Sequence, residues 1–232
     1  DRVEIGPLVA STSFHAPAML AKKAATVDEI SGGRLVLGLG AGWNETEYRA
    51  FGFPYDRRVA RFEEAFTVIR TLLREGSIDF RGEFYEAERC ELLPRPSRPN
   101  GPPLMIGSMG ERMLSITLPH VDAWNGWYEW FGNSPEGLAP LVERVDAACR
   151  AAGRDPTEVT YTAAVLTSPL APRGRLDWDS GRPGAVPVRG SPDDIAAVLR
   201  EMGAAGADQL QLVLDPITLE SIEACGEVLA AL

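Results

Sequence analysis

Residues able to do chemistry gather where short apolar runs give way to glycine. Leu35 to Leu39 runs into Gly40-Ala41-Gly42-Trp43-Asn44. Two glycines let a backbone pass close to a ligand, and Trp43 offers a flat apolar surface; a tight turn beside a core tryptophan fits the same residues. Leu104-Met105-Ile106 runs into Gly107-Ser108-Met109-Gly110, directly ahead of a helical pattern. Free N–H groups at such a start bind phosphate, and a plain cap by Ser108 is the alternative. His15, in Ser11-Thr12-Ser13-Phe14-His15, is placed to donate a proton or touch a ligand, or is an idle loop imidazole. Trp124-Asn125-Gly126-Trp127-Tyr128, with Trp130 and Phe131, puts five aromatics in eight residues. They line an apolar pocket or simply pack. Arg57, Arg58 and Arg61 form the densest basic cluster, either a solvated helix face or a contact for an anionic tail.

Several chemistries are excluded. Two histidines cannot make a three-histidine metal site, so no metal is expected. Cys90, Cys149 and Cys225 stand far apart with no CxxC spacing; Cys149 and Cys225 fall in helical patterns as small buried residues. No Ser/His/Asp or Cys/His arrangement assembles. Glycines, hydroxyls and aromatics at strand ends suit a planar cofactor that carries the hard chemistry itself. Net charge is −10, from 33 acids against 23 bases, which disfavours nucleic acid and anionic membranes as partners. No apolar run reaches the ~18 residues of a membrane-spanning helix, and with no basic stretch followed by an apolar one at its opening, no signal peptide is expected. A cytoplasmic, reducing compartment is expected.

The elements that must position these residues alternate. Val3 to Ala10 reads as a strand; Leu20, Ala24, Val27 and Ile30 mark a helix that Gly32 and Gly33 stop. Leu35 to Leu39 is a buried strand, and Phe62, Phe66, Ile69 and Leu73 mark a long helix. Strand and helix then recur: Leu104 to Gly107 with Glu111 to Leu118, Val121 to Asn125 with Pro135 to Ala152, Val159 to Leu166 with Ser191 to Ala205, and Gln209 to Leu214 with Thr218 to Leu229. Six β/α units argue for an α/β class and a parallel sheet in a single domain spanning residues 1–232. Two stretches interrupt the rhythm. Residues 78–98 read as a hairpin turning at Arg81-Gly82 plus a Pro-rich connection, and residues 168–190 as a long loop.

The run from Leu20 to Arg34, continuing as LVLGLGAGWNETEYRAFGFP, closely resembles the luciferase-like monooxygenase superfamily. PPLMIGSMGERMLSITLPHVDAWN and GSPDDIAAVLREMGAAGADQLQLVLD extend the resemblance over nearly the whole chain, most strongly to the branch that uses coenzyme F420. The resemblance implies a TIM (β/α)8-type barrel with a flavin-like ring at its C-terminal face. It places a non-proline cis peptide at Pro7–Leu8 behind that ring, with Val9 and Ala10 adjoining. Gly42, Trp43 and Asn44 would lie beside the ring, and Gly107, Ser108, Met109 and Gly110 would hold its phosphate. The implied activity is hydride transfer between deazaflavin C5 and a small organic substrate. The alternatives are an FMN-dependent monooxygenase served by a separate flavin reductase, and a non-catalytic flavin-binding protein with a reduced barrel. Family members carry two further β/α units ahead of Val3. The expectation is therefore an incomplete or shortened barrel whose open edges are covered by a homodimer partner or by further N-terminal residues.

Overall fold

A computed structural model of the chain describes residues 3–170 and 185–232. Most of the expected 168–190 loop therefore lies outside the described residues. The chain divides into two compact units, Asp1–Asp122 and Ala123–Leu232.

In the first unit, β1 (Ala10–Ser11), β2 (Leu37–Gly40) and β5 (Leu104–Ile106) are parallel, with β2 in the middle. Every side chain of β2 and β5 is buried, as expected of parallel strands covered on both faces. The helices are α1 (Pro17–Ser31), α2 (Glu45–Phe51), α3 (Arg58–Glu75) and α4 (Glu111–Thr117). Gly32 ends α1 at φ 68°, the stop its position implied. Phe62, Phe66, Ile69 and Leu73 form the buried stripe of α3, which packs on α1. The hairpin is present as β3 (Ser77–Arg81) and β4 (Glu86–Glu91).

The second unit repeats the pattern with β6 (Ala123–Trp127), β7 (Thr160–Thr167) and β8 (Gln209–Leu214), again parallel, and with α5 (Pro135–Ala151), α6 (Pro192–Ala204) and α7 (Leu219–Ala231). Ser191 opens α6 with a reciprocal capping box to Asp194. The α/β class and the six strand-then-helix units match the sequence reading. Among the described residues no helix is long and apolar enough to cross a membrane.

Two strands differ from expectation. The first is not a strand from Val3 to Ala10: only a single bridge, Ile5 to Leu35, precedes Ala10. Pro7 has no N–H for a ladder, and Gly6 backs so closely onto Val36 that a Cβ would meet its carbonyl oxygen at 2.0 Å. The strand expected at Val121 begins two residues later. The Val121 N–H still closes the end of α4 on Thr117, while the Asp122 carboxylate accepts from the Leu104 N–H at 2.8 Å and from Arg74 at 2.7 Å.

Candidate functional site

Glycines fix the geometry where β1, β2 and β5 end. A Cβ at Gly38 would lie 2.2 Å from the Pro7 carbonyl oxygen and 2.9 Å from Val9 Cγ1. At Gly40 it would lie 2.8 Å from Val9 Cγ2, and at Gly107 3.3 Å from Val9 Cγ1. One valine thus seats its two methyls over three glycines drawn from two strands. The cis peptide is Leu8–Val9, not Pro7–Leu8. It lies one bond later than the resemblance implied, in a segment whose parallel pairing with β2 goes from Ile5–Leu35 to Ala10–Leu39, one residue longer than the stretch it faces.

The turn after β2 is held by its carbonyls. Tyr48 donates its hydroxyl proton to the Ala41 oxygen at 2.5 Å, Arg58 Nη1 donates to the Gly42 oxygen at 2.7 Å, and Tyr55 donates to the Trp43 oxygen at 3.2 Å. Three consecutive acceptors are satisfied by three side chains, so this backbone cannot drift without breaking them. Gly42 sits at φ 77°, and a Cβ there would fall 2.3 Å from the Tyr48 hydroxyl and 2.5 Å from Ser11 Oγ. Trp43 is 72% exposed, which overturns the core-tryptophan reading and leaves a bare indole on a rigid turn. Asn44 caps α2, its side-chain oxygen accepting from the Thr46 N–H at 3.1 Å.

At the end of β5, Gly107 donates to the Leu39 oxygen at 3.3 Å, and Gly107 to Met109 are half-buried. Ser108 is not the cap of α4. Gly110 occupies that position. A Cβ at Gly110 would meet nothing closer than Met113 Cγ at 4.0 Å. His15 closes the short 3-10 turn after β1, its N–H donating to the Thr12 oxygen at 3.1 Å. Burial, and then the Lys23 charge, push its imidazole below the ordinary histidine value. Neutral at pH 7, it can accept a proton. Beside it the Thr12 and Ser13 hydroxyls are buried with no partner among the described residues.

The arginine cluster is more than a solvated face. Arg58 lies over the Tyr55 ring at 4.1 Å while it holds Gly42. Arg57 and Arg61 lie over Phe84 at 4.8 and 4.3 Å and so bind the hairpin to α3. Glu64 completes that attachment, its carboxylate accepting from the N–H groups of Glu83, Phe84 and Tyr85 at 2.8–3.0 Å.

In the second unit the five clustered aromatics separate. Trp124 and Phe131 are core, while Trp127 and Tyr128 are half-buried and 4.5 Å apart. Composition did not reveal a polar row across β6, β7 and β8. There Asn125 Nδ2 donates to Thr162 Oγ1 at 2.7 Å and to Gln211 Oε1 at 2.9 Å. On the other face of β7, Tyr161 donates to Asp146 of α5 at 2.8 Å, so the Asn125 row lies on the face turned away from α5. Tyr48, Tyr55 and Arg58 were likewise missed as positioning residues. For the two tyrosines the only sequence signal is proximity to the glycine turn, and for Arg58 the basic cluster it belongs to.

Residues 1–172 match the sequence model of the luciferase-like monooxygenase family. The pyrimidine monooxygenase RutA of Methylorubrum populi is 32% identical over 174 residues, 73% of this chain and 45% of that protein. Its counterpart in Stutzerimonas stutzeri is 30% identical over 221 residues, 92% of this chain and 59% of that protein. The chain thus spans about half the length of these curated relatives. Among solved structures, an F420-dependent secondary alcohol dehydrogenase superposes with a TM-score of 0.80 at 18% identity, covering 100% of this chain and 80% of that one. The monooxygenase RslO1 of Streptomyces bottropensis gives 0.77 at 23% identity, covering 98% and 75%. At these identities the likeness speaks for the fold, a barrel-type α/β architecture along the whole chain. With its glycine-floored strand ends and the family match over residues 1–172, the chain belongs to the luciferase-like monooxygenase family.

Proposed function

We infer that this chain forms the cofactor-holding part of an F420-dependent oxidoreductase acting on a small organic substrate. The observation that carries the reading is the turn Ala41–Trp43, fixed by three side-chain bonds while its indole stays exposed. A rigid backbone bearing a bare ring suits a planar partner. The glycine floor fits the same group, because side chains at Gly38, Gly40 or Gly107 would push Val9 outward. When bound, the deazaflavin ring supplies hydride transfer at its C5. The protein's part is to hold and orient: Pro7 to Ala10 as the wall, Gly42 to Asn44 beside the ring, and Gly107 to Gly110 for the phosphate. Neutral His15, at the end of β1, is the candidate proton acceptor.

FMN-dependent monooxygenation with a separate reductase is the second reading. It is favoured by the 30–32% identity to proteins named monooxygenases. Separate fluorescence titrations with F420 and FMN decide between them, the tighter partner naming the cofactor. Binding of neither overturns both. Gly110→Val should lower affinity for the phosphorylated cofactor at least tenfold, because the added methyls stand where the phosphate approaches. Stability should change by no more than about 1 kcal/mol, since the space there is open. Unchanged affinity removes Gly107 to Gly110 from the phosphate site.

A homodimer belongs to the same proposal. Leu219, Ile222 and Leu229 on α7, with Leu232 just beyond, form an exposed apolar row of the kind subunits cover. Light scattering of the purified protein tests it, and a monomer at high concentration removes it.

A further inference from the structure

The end of β7 holds two polar groups that the site above does not use. Ser168, just past the strand, is fully buried, and its hydroxyl has no partner among the described residues. Arg189 stands shortly before α6, and its Nε and Nη2 are likewise buried without a partner among the described residues.

Backbone pairing brings the two together. Val188 pairs in parallel with Thr167: its N–H donates to the Leu166 oxygen, and its oxygen accepts from the Ser168 N–H, both at 2.9 Å. Asn133 fastens the same segment, with Nδ2 donating to the Leu166 oxygen at 2.8 Å and to the Val186 oxygen at 2.9 Å. Side chains alternate along a ladder, so Ser168 and Arg189, each one residue past the bridge, share the face opposite Thr167 and Val188. The unbroken register of β7 with β8 makes it the same face that carries the Asn125 row. This is also the end of the strands at which parallel β/α folds hold their ligands.

A guanidinium presents Nε and Nη2 as one side-on fork that matches the two oxygens of a carboxylate. Arg98 uses this pair of nitrogens on Asp28. At Arg189 no carboxylate among the described residues fills it. Asp194, beside Gly190, accepts instead from the Ser191 N–H at 2.9 Å and hydroxyl at 2.7 Å. Asp215, next in register to Ser168, has contacts of its own and does not meet the fork. A buried charge that cannot be given up is costly until an anion answers it. Two residues back on the same face, Leu166 and Val213 are paired in register and offer apolar surface.

We propose that Arg189 and Ser168 bind the carboxylate of the substrate, an apolar carboxylic acid. The fork takes both oxygens, and the Ser168 hydroxyl donates a further bond. The assignment rests on the reading above that the chain acts on a small organic substrate, and it supplies the chemical class of that substrate.

Benzoate is the probe, and benzamide, similar in shape but uncharged, is the control. In isotope-labelled wild-type protein, benzoate should move the Arg189 Nε–H resonance and benzamide should not; loss of the signal in Arg189→Lys identifies it. Arg189→Gln should bind benzoate at least about tenfold more weakly, and Ser168→Ala should lose a smaller factor. Arg189→Lys keeps the charge without the fork and should recover little of the affinity. Circular dichroism melting checks the fold of each variant, and the wild-type resonance decides if one melts early. An unmoved resonance, or an equal response to benzamide, overturns the carboxylate site. F420 and FMN affinities, measured on the same proteins, should be unchanged by Arg189→Gln. A loss there as large as that for benzoate would give the fork to the cofactor and overturn the substrate assignment. If the wild type binds neither cofactor, the cofactor reading fails by itself, and the benzoate titration still decides this one.

Discussion

The two ends of β2 are each secured by an arginine, and they are secured differently. At the foot, Arg98 places Nη2 2.5 Å from both Asp28 Oδ1 and the Leu35 oxygen, with Nε 3.2 Å from Asp28 Oδ2; Asp28 is fully buried. At the head, Arg58 spends one nitrogen on the Gly42 oxygen and rests on Tyr55. The foot is closed, a charge pair whose partners answer one another. The head fixes a backbone through one nitrogen and one ring face. β/α folds divide their labour this way, with stability at the start of the strands and ligands at their ends.

Breaking the foot should cost most. Arg98→Ala leaves the Asp28 carboxylate buried without its partner, and a loss of about 3–5 kcal/mol is expected in urea denaturation. A loss under about 1 kcal/mol would mean that the foot holds nothing up. At the head, Gly42→Ala forces a side chain into the left-handed region and against Tyr48 and Ser11. It should cost roughly 2–4 kcal/mol and weaken cofactor binding as well, whereas Arg98→Ala should leave affinity unchanged in the folded fraction. Equal effects of the two on affinity would erase the distinction.

The smallest effect is in His15. Its folded value lies below the ordinary 6.5, so the unfolded chain takes up the proton first as pH falls. Stability is therefore complete above pH 6.5 and declines as pH drops through the folded value; His15→Asn should flatten that slope. With two histidines in the chain, NMR titration of the imidazole protons reads the midpoint directly. A midpoint above 6.5 would contradict the burial of this turn.

What could be read from the residues divides along similar lines. β8 runs from Gln209 to Leu214 as its apolar run indicated, and Gly32 stops α1, because pattern and glycine act locally. Gly40, Gly42 and Gly107 to Gly110 were visible as candidates because a glycine's freedom is written in its own identity. Their partners were not. Arg58 reaches back 16 residues to Gly42, and Asp28 and Arg98 stand 70 apart. No periodicity encodes such pairings, since only the folded chain brings them together. The short β1 escaped for another reason: Val3 to Ala10 is apolar enough for a strand, but Gly6 and Pro7 divide it, and neighbouring glycines draw it inward.

The hairpin behaves like a strip clamped at both ends. Glu64 grips the tip through three N–H groups, and at the root the Leu92 N–H donates to the Gly76 oxygen at 2.8 Å. With its ends fixed, surplus length can only buckle between them. The pairing steps from Ile78–Cys90 to Phe80–Ala87, with Glu88 and Arg89 on one strand against Asp79 alone on the other, and Arg89 sits there at φ 44°. Shortening the chain by one residue at Glu88–Arg89 would thus flatten the strip, whereas the same deletion near Glu83 or Leu92 would pull a clamp loose.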